Sequence, residues 1–353
     1  MHRSDLTPGV VRAFNDEAAA ERAGMWFGAA LLNDSGARNW CRSHAPAHYK
    51  ALAEGTDTSG GYLVPTELAD AVWALLPLVG VFYSNANVRK MNRDVLRVAK
   101  RRSGVTLSFA GENTPGTEST PTFGSINLGA QKAMGFWKIS DELFEDAVGL
   151  GEFIALDFAF AVGDLMDRVG FNGTGISTDG GIFGVCTRVI DGNHTASVLT
   201  AAAGHDLFTE IDATDLSNLM ALLPEGQWQN ASWYCSGYAA ATMFCRLGAT
   251  AGGTIRSING PRPLLNYLGF PINATGKMAA GSGSQTGKVM ALFGDLSMAA
   301  TVGERRVMTV QILRERFAEE GNVGAKLAPR FDINVHDLGD NSTAGPIVAL
   351  VGA

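Results

Sequence analysis

Charge is scarce in this chain of 353 residues: only 18% are Asp, Glu, Lys or Arg, and they sum to −7. A negative balance argues against a protein that grips nucleic acid by its phosphates, since that binding relies on basic patches that release counterions. Hydrophobic residues reach 46%, so part of the apolar surface is expected to meet a partner. Cysteine is equally thin. Cys41, Cys186, Cys235 and Cys245 include no C-x-x-C pair and read as reduced thiols, most of them packing residues of a protein made in the cytosol. No run of eighteen apolar residues occurs, and the opening MHRSDLTPGV lacks the apolar stretch of a signal peptide, so a soluble protein without a membrane segment is expected. No internal repeat is visible.

Catalytic chemistry is missing too. GSGSQTGKV (281–289) has Ser282 where a phosphate-binding loop needs its first Gly and Val289 in place of the metal-binding hydroxyl, so a flexible polar loop is the better reading. Cys41, His44 and His48 have ligand-like spacing, but Pro46 breaks the helix that would align the histidines, and no fourth ligand is near. Asp141, Glu142, Glu145 and Asp146 suit the first turn of a solvated helix better than acid–base work. Asp157 and Asp164 suit a polar seam better than a cation site. The six histidines have no nucleophile beside them. The expectation is a protein that is not an enzyme, with no catalytic residue, metal or cofactor.

Glycine, by contrast, is abundant, at 43 residues, which implies many turns and close approaches. Ser59, Gly60 and Gly61 form a hinge between a polar, Ala-rich segment with weak helical pattern (around Phe14, Ala18, Ala19 and Arg22) and a short strand, Tyr62–Pro65. Thr66 is a plausible N-cap for a helix with Leu68, Val72 and Leu75 on one stripe, halted by Pro77. Val105, Leu107 and Phe109 alternate with polar residues, as do Ile126, Leu128 and Ala130. Between them Ala110–Thr122 is too polar to enter a core, so a long hairpin with an exposed tip is expected. Such a hairpin needs support from elsewhere. Ser140 reads as the cap of the next helix. The strongest helix follows in GEFIALDFAFAVGDLMDRVGFNGTG (151–175), about 20 residues with Asp157, Asp164 and Arg168 on one face, ending at the glycines of NGTG. Further on come a helix near 211–224 carrying Leu216, Leu219 and Leu223, a buried strand at 231–235 and a helix after it. NYLGFPINAT (266–275) turns through Gly-Phe-Pro, VMALFGDLSMAATVGERRVMTVQILRE (289–315) alternates as paired strands, and APRFDINVHD adds one more strand.

Taken in order, GGYLVP (60–65), FGSINLGAQKAMGFWKISDELFEDA (123–147), LGEFIALDFAFAVGDLMDRVGFNGTG (150–175) with GGIFGV after it, SWYC (232–235), GFPI (269–272) and LFGDLSMAATVGERRVMTV (292–310) resemble the major capsid proteins of tailed bacteriophages. The resemblance covers roughly residues 56–353. It implies an α+β, Hong Kong 97-type capsid fold. Its parts would be an N-terminal arm (1–60), an extended hairpin loop (94–137), a peripheral domain in three pieces (61–93, 138–184 with the spine helix, and 299–340), an axial domain (185–298) and a C-terminal strand returning to it (341–353). It also implies self-assembly into hexamers and pentamers of an icosahedral or prolate shell around double-stranded DNA. Portal, scaffolding, protease or decoration proteins would be partners, and the shell would sit in the virion after assembly in the host cytoplasm. The hinge would let the arm leave one subunit for another, and an acidic wall would let DNA slide. Contacts between subunits are expected where Glu112 or Glu118 of the hairpin meets Arg305 or Arg306 of the peripheral strands.

Two features depart from parts of the family. Some relatives weld the shell by an isopeptide bond from a hairpin lysine. Here no lysine lies between Arg102 and Gln131, with Lys100 and Lys132 only flanking. The residues before the hinge are too few for the removable scaffolding region of other relatives and many for a simple arm. A gene transfer agent coat or an encapsulin-like compartment has the same implied fold, and an enzyme is the rival of another class.

Overall fold

The computed structural model describes residues 14, 17–32, 34–54, 61–63, 66–101, 109, 118, 120, 122–140, 150–250, 256–257, 264–313 and 322–353. At its centre lies helix α6 (Leu150–Asn172), the expected spine. Ile154, Ala155, Leu156, Phe158, Ala159, Val162, Met166 and Val169 are buried around most of its circumference, as a helix enclosed by other elements requires. Asp164 and Arg168 reach the surface, where Asp164 meets Lys277 at 2.7 Å and Arg168 meets Asp179 at 2.8 Å.

Three helices lie in the N-terminal segment: α1 (Glu17–Phe27, continuing as a π-turn to Leu32), α2 (Ser35–His44) and α3 (Pro46–Glu54). Asp34 caps α2, accepting from Gly36 N at 2.8 Å and Ala37 N at 3.2 Å. Trp26, Phe27 and Cys41 are buried in the core shared with α6, and the Phe27 ring stands edge-on to Phe158 at 6.5 Å. Residues 17–54 thus form helices packed on α6. Two large aromatics side by side gain more from burial against their own spine helix than a mobile segment could. The hinge residues Ser59 and Gly60 lie outside the described residues, and Gly61 opens strand β1 (Gly61–Leu63), opposite Gln311.

Helix α4 (Thr66–Val79) begins at Thr66 and runs through Pro77 rather than halting there. The ring removes only one late hydrogen bond, so the helix completes its turn and stops at Gly80. A Cβ on Gly163 would lie 3.0 Å from Val79, which marks how closely α4 and α6 approach. Helix α5 (Val81–Asn85) follows. Buried Asp167 of α6 accepts from Phe82 N at 2.8 Å and Val81 N at 3.1 Å, capping α5 from another element.

Burial pushes the Asp167 carboxyl up to about 6, against the pull of those two N–H groups. Its native pKa thus lies above the unfolded value near 4. The stabilising effect is fully present below pH ~4 and is lost as pH rises through 6. The stability of the parent minus that of Asp167→Asn should fall by on the order of 3 kcal/mol across that window. Denaturant titrations at pH 4 and pH 8 measure it, and a flat difference would show that Asp167 does not titrate there.

Two larger sheets and one two-stranded sheet carry the rest. The six-stranded sheet is built on the antiparallel pair β13 (Ala300–Leu313) and β14 (Asn322–Val335). Strands β1 and β2 (Asn87–Lys90) pair with β13, and β5 (Gln131–Lys132) and β6 (Gly135–Ser140) pair with β14. The β13–β14 register slips between Arg305 and Thr309, opposite Pro329, where a missing N–H already interrupts the ladder. The seven-stranded sheet runs β7 (Val198–Thr200), β15 (Ile347–Val351), β12 (Val289–Gly294), β8 (Ser232–Cys235), β11 (Phe270–Ala274), β10 (Leu264–Tyr267) and β9 (Arg256–Ser257). All four residues of β8 are buried, as expected of SWYC.

Two expectations are corrected here. The alternating run from Val289 does not fold back on itself, because β12 and β13 belong to different sheets, with the short helix Leu296–Ala299 between them. The turn before β11 is Leu268–Gly269, and Phe270 and Pro271 are in the strand. Ser140 is the last residue of β6, and the helix expected to follow it, with the carboxylates at 141–146, lies outside the described residues. The helix over Ala213–Leu222 is as expected, with Asp212 and Asp215 forming a capping box and Leu216, Leu219 and Leu223 buried.

Candidate assembly site at the hairpin foot

Strands β3 (Val95–Arg101) and β4 (Phe123–Gly129) pair antiparallel from Val95↔Gly129 to Arg101↔Phe123. Alternation sends Ile126 and Leu128 inward onto Met91, with Leu96, Val98 and Ala130 packed around them. It leaves Phe123, Ser125 and Asn127 exposed. The expected returning strand does not continue through Phe136, because β5 and β6 leave the hairpin to pair with β14. Farther out, Phe109, Glu118, Thr120 and Thr122 are all exposed, while Val105, Leu107 and Glu112 lie outside the described residues.

Polar clamps fix this foot to the six-stranded sheet. Asp94 pairs with Arg305 and, at 3.2 Å, with Arg330. Lys100 Nζ is 2.9 Å from Asp337 Oδ2 and donates to His336 O at 2.9 Å. Gly129 N donates to Asp332 Oδ2 at 2.7 Å, and Asn334 Nδ2 to Asn127 O at 2.9 Å. Burial raises the Asp332 pKa, and burial beside the Lys100 cation pushes His336 down to about 4, so this imidazole is neutral at ordinary pH. The result is a cantilever: a two-stranded ribbon gripped at one end, whose described outer positions, Phe109, Glu118, Thr120 and Thr122, are exposed.

Glu118 is exposed, Arg305 is engaged by Asp94, and Arg306 lies in the irregular stretch of β13. Sequence reasoning missed Asp94, Asp332, Asn334 and Asp337. Nothing local marks them, since each clamp joins residues more than two hundred positions apart.

The arrangement offers little chemistry. Gly281–Lys288 leads into strand β12, not a helix, so it presents no helix N-terminus to a phosphate. Cys41 and His48 are buried while His44 stacks on Trp40 at the surface. Among the described residues, His205, Asp212 and Asp215 are the group that could converge on a metal. Their oxygens already cap a helix and hold His205 Nδ1 at 2.6 Å, which raises the His205 pKa. A cleft of about 400 Å³ between the hairpin foot and α6 is lined by Gln131, Met134, Leu165 and Phe331, with Arg168 and Asp179 paired to each other. Among the described residues no helix is long and apolar enough to cross a membrane.

Against this geometry, the phage capsid family model matches residues 60–338. The chain belongs to the phage capsid family. It is thus a shell-forming, structural protein of Hong Kong 97-type fold, whose place is the particle shell. Its fold is similar to the capsid of an empty gene transfer agent particle, with TM-score 0.59 and 17% identity over 78% of this chain and 90% of that one. The chain of Mycobacterium phage Adephagia gives TM-score 0.50 at 17% identity, covering 78% and 90%. The SrpI encapsulin of Synechococcus elongatus PCC 7942 gives TM-score 0.50 at 9% identity, covering 76% and 85%. A search of curated proteins returned no match. The helices over 17–54 precede the segment that the family model matches.

Proposed function

We propose that this chain is the major capsid protein of a tailed phage or gene transfer agent, building hexamers and pentamers of a closed icosahedral or prolate shell around double-stranded DNA. The observation that carries the reading is the cantilevered hairpin on a capsid-family body. A ribbon clamped at its foot, with its described outer positions exposed, has its use on a neighbouring subunit. The net charge of −7 fits a wall that encloses DNA without adhering to it. Portal, scaffolding, protease or decoration proteins would complete the particle, with assembly in the host cytoplasm. Glu112 or Glu118 of one subunit would meet Arg306, or Arg305 beside Asp94, of the next, adding a salt-dependent term.

Purified protein, supplied with scaffold where needed, should form closed shells visible by negative-stain microscopy. A protein that stays a small monodisperse species under varied salt and pH would overturn the reading. The shell should also be held without covalent links, since Lys100 is engaged by Asp337 and the hairpin tip contains no lysine. Denaturing electrophoresis of mature particles should show one subunit band, not a ladder that disappears in Lys100→Arg or Lys132→Arg.

A further inference from the structure

The β10–β11 connection is a two-residue turn, with Tyr267 paired to Phe270 across it. Both turn residues have positive φ, 50° at Leu268 and 86° at Gly269. This is the mirror-image geometry that suits twisted hairpins, and it selects Asn-Gly, Asp-Gly or Gly-Gly. Among the described residues Leu268 is the one non-glycine with positive φ. A branched apolar side chain is strained in that region and has no short polar group with which to bond the local backbone. The subunit gets nothing back, because Leu268 is 63% exposed.

The strain is imposed by a rigid base. Tyr267 packs edge-on to Phe244 at 5.2 Å and to Trp233 at 6.0 Å. On the other strand Phe270 packs on Phe293 at 5.1 Å and on Trp228 at 5.8 Å. These aromatics fix the strands, and the strands fix the turn, which is the circumstance in which unfavourable backbone persists at functional positions. Trp228 is itself 37% exposed. Its indole N–H is satisfied by Leu223 O at 3.1 Å, so what it shows to solvent is apolar ring. Glu225, Gln229 and Asn230 beside it are exposed and polar, giving the apolar centre and polar rim of an interface.

We propose that the β10–β11 turn is a knob seated on a second copy of this chain, with Leu268 as the anchor and Trp228 at its flank. The occupant follows from two observations. The chain belongs to a shell-forming family, so each subunit must offer copies of itself a repeated contact. One leucine and part of one tryptophan fall far below the roughly 1,200 Å² that a stable pairwise complex buries. The knob therefore cannot hold a free dimer and acts as one contact among many in an assembly. This inference rests on the shell reading and adds to it a specific contact.

The test exploits opposite signs. Leu268→Asn creates the preferred Asn-Gly turn, so the isolated subunit should melt at the parent's temperature or about 1–3 °C above it. The same variant should lower shell yield at least tenfold at equal concentration, while Leu268→Met, which keeps the apolar anchor, stays near the parent. Leu268→Asn shells at parental yield, or a lowered melting temperature, would overturn the inference and leave the shell reading intact. A parent chain that forms no shells under any condition would defeat both.

Discussion

Replacing Gly111–Thr120 with a short Gly-Ser turn should leave a subunit that folds and melts like the parent but forms few or no shells. Among the described residues, the hairpin's buried cluster lies at the foot, at Met91, Ile126 and Leu128. There the clamps at Asp94, Lys100, Gly129 and Asn127 hold it to the sheet. All of these remain in the shortened protein. The segment removed is rich in Gly, Thr, Glu and Pro and offers almost no apolar area to a core. Circular dichroism and thermal melting check the first half of the expectation, and microscopy of assembly reactions checks the second. Parental assembly should also weaken with salt if the tip's glutamates meet arginines. A shortened protein that unfolds, or assembles as well as the parent, would show that the hairpin is not the brace between subunits.

A single methyl group at Gly184 should be more damaging to the fold than that ten-residue replacement. Past the end of α6 the chain turns back so tightly that Gly184 N donates to Gly173 O at 2.8 Å and Gly175 N to Ile182 O at 2.9 Å. The backbone at Gly184 has φ −75°, which alanine adopts freely, so the penalty is steric alone. An added Cβ would lie 2.4 Å from the carbonyl C and O of Phe171 and 2.5 Å from Asn172 N. Those are backbone atoms of a buried helix end and cannot swing aside. Gly184→Ala should cost about 3 kcal/mol or more, seen as a melting temperature lowered by roughly 5–10 °C or as insoluble protein. Gly276→Ala, where a Cβ would meet nothing within 4 Å, should match the parent. Near-parental melting of Gly184→Ala would mean that the turn can open.

The same turn shows where local reading succeeds. NGTG announced the end of α6, and the helix stops at Asn172. Asp179 beyond it accepts from Thr174 N, Thr174 Oγ1 and Arg168, which together hold its carboxyl down to about 2. The helix end was written in the residue types; the partner of Arg168 was not.

What the sequence by itself determined is what depends on near neighbours: the spine helix, a helix within 211–224, the buried SWYC strand and the order of motifs that places the chain among phage capsid proteins. Caps, periodicity and turns act over a few residues, and their signals survive in the linear chain. Only the tertiary structure decided that Trp26 and Phe27 dock three N-terminal helices on the spine, that β12 and β13 part to different sheets, and that Arg305 faces Asp94. An apolar stripe states that it must be buried but not against which surface. A charge states its sign but not which of many opposite charges the fold will bring within reach.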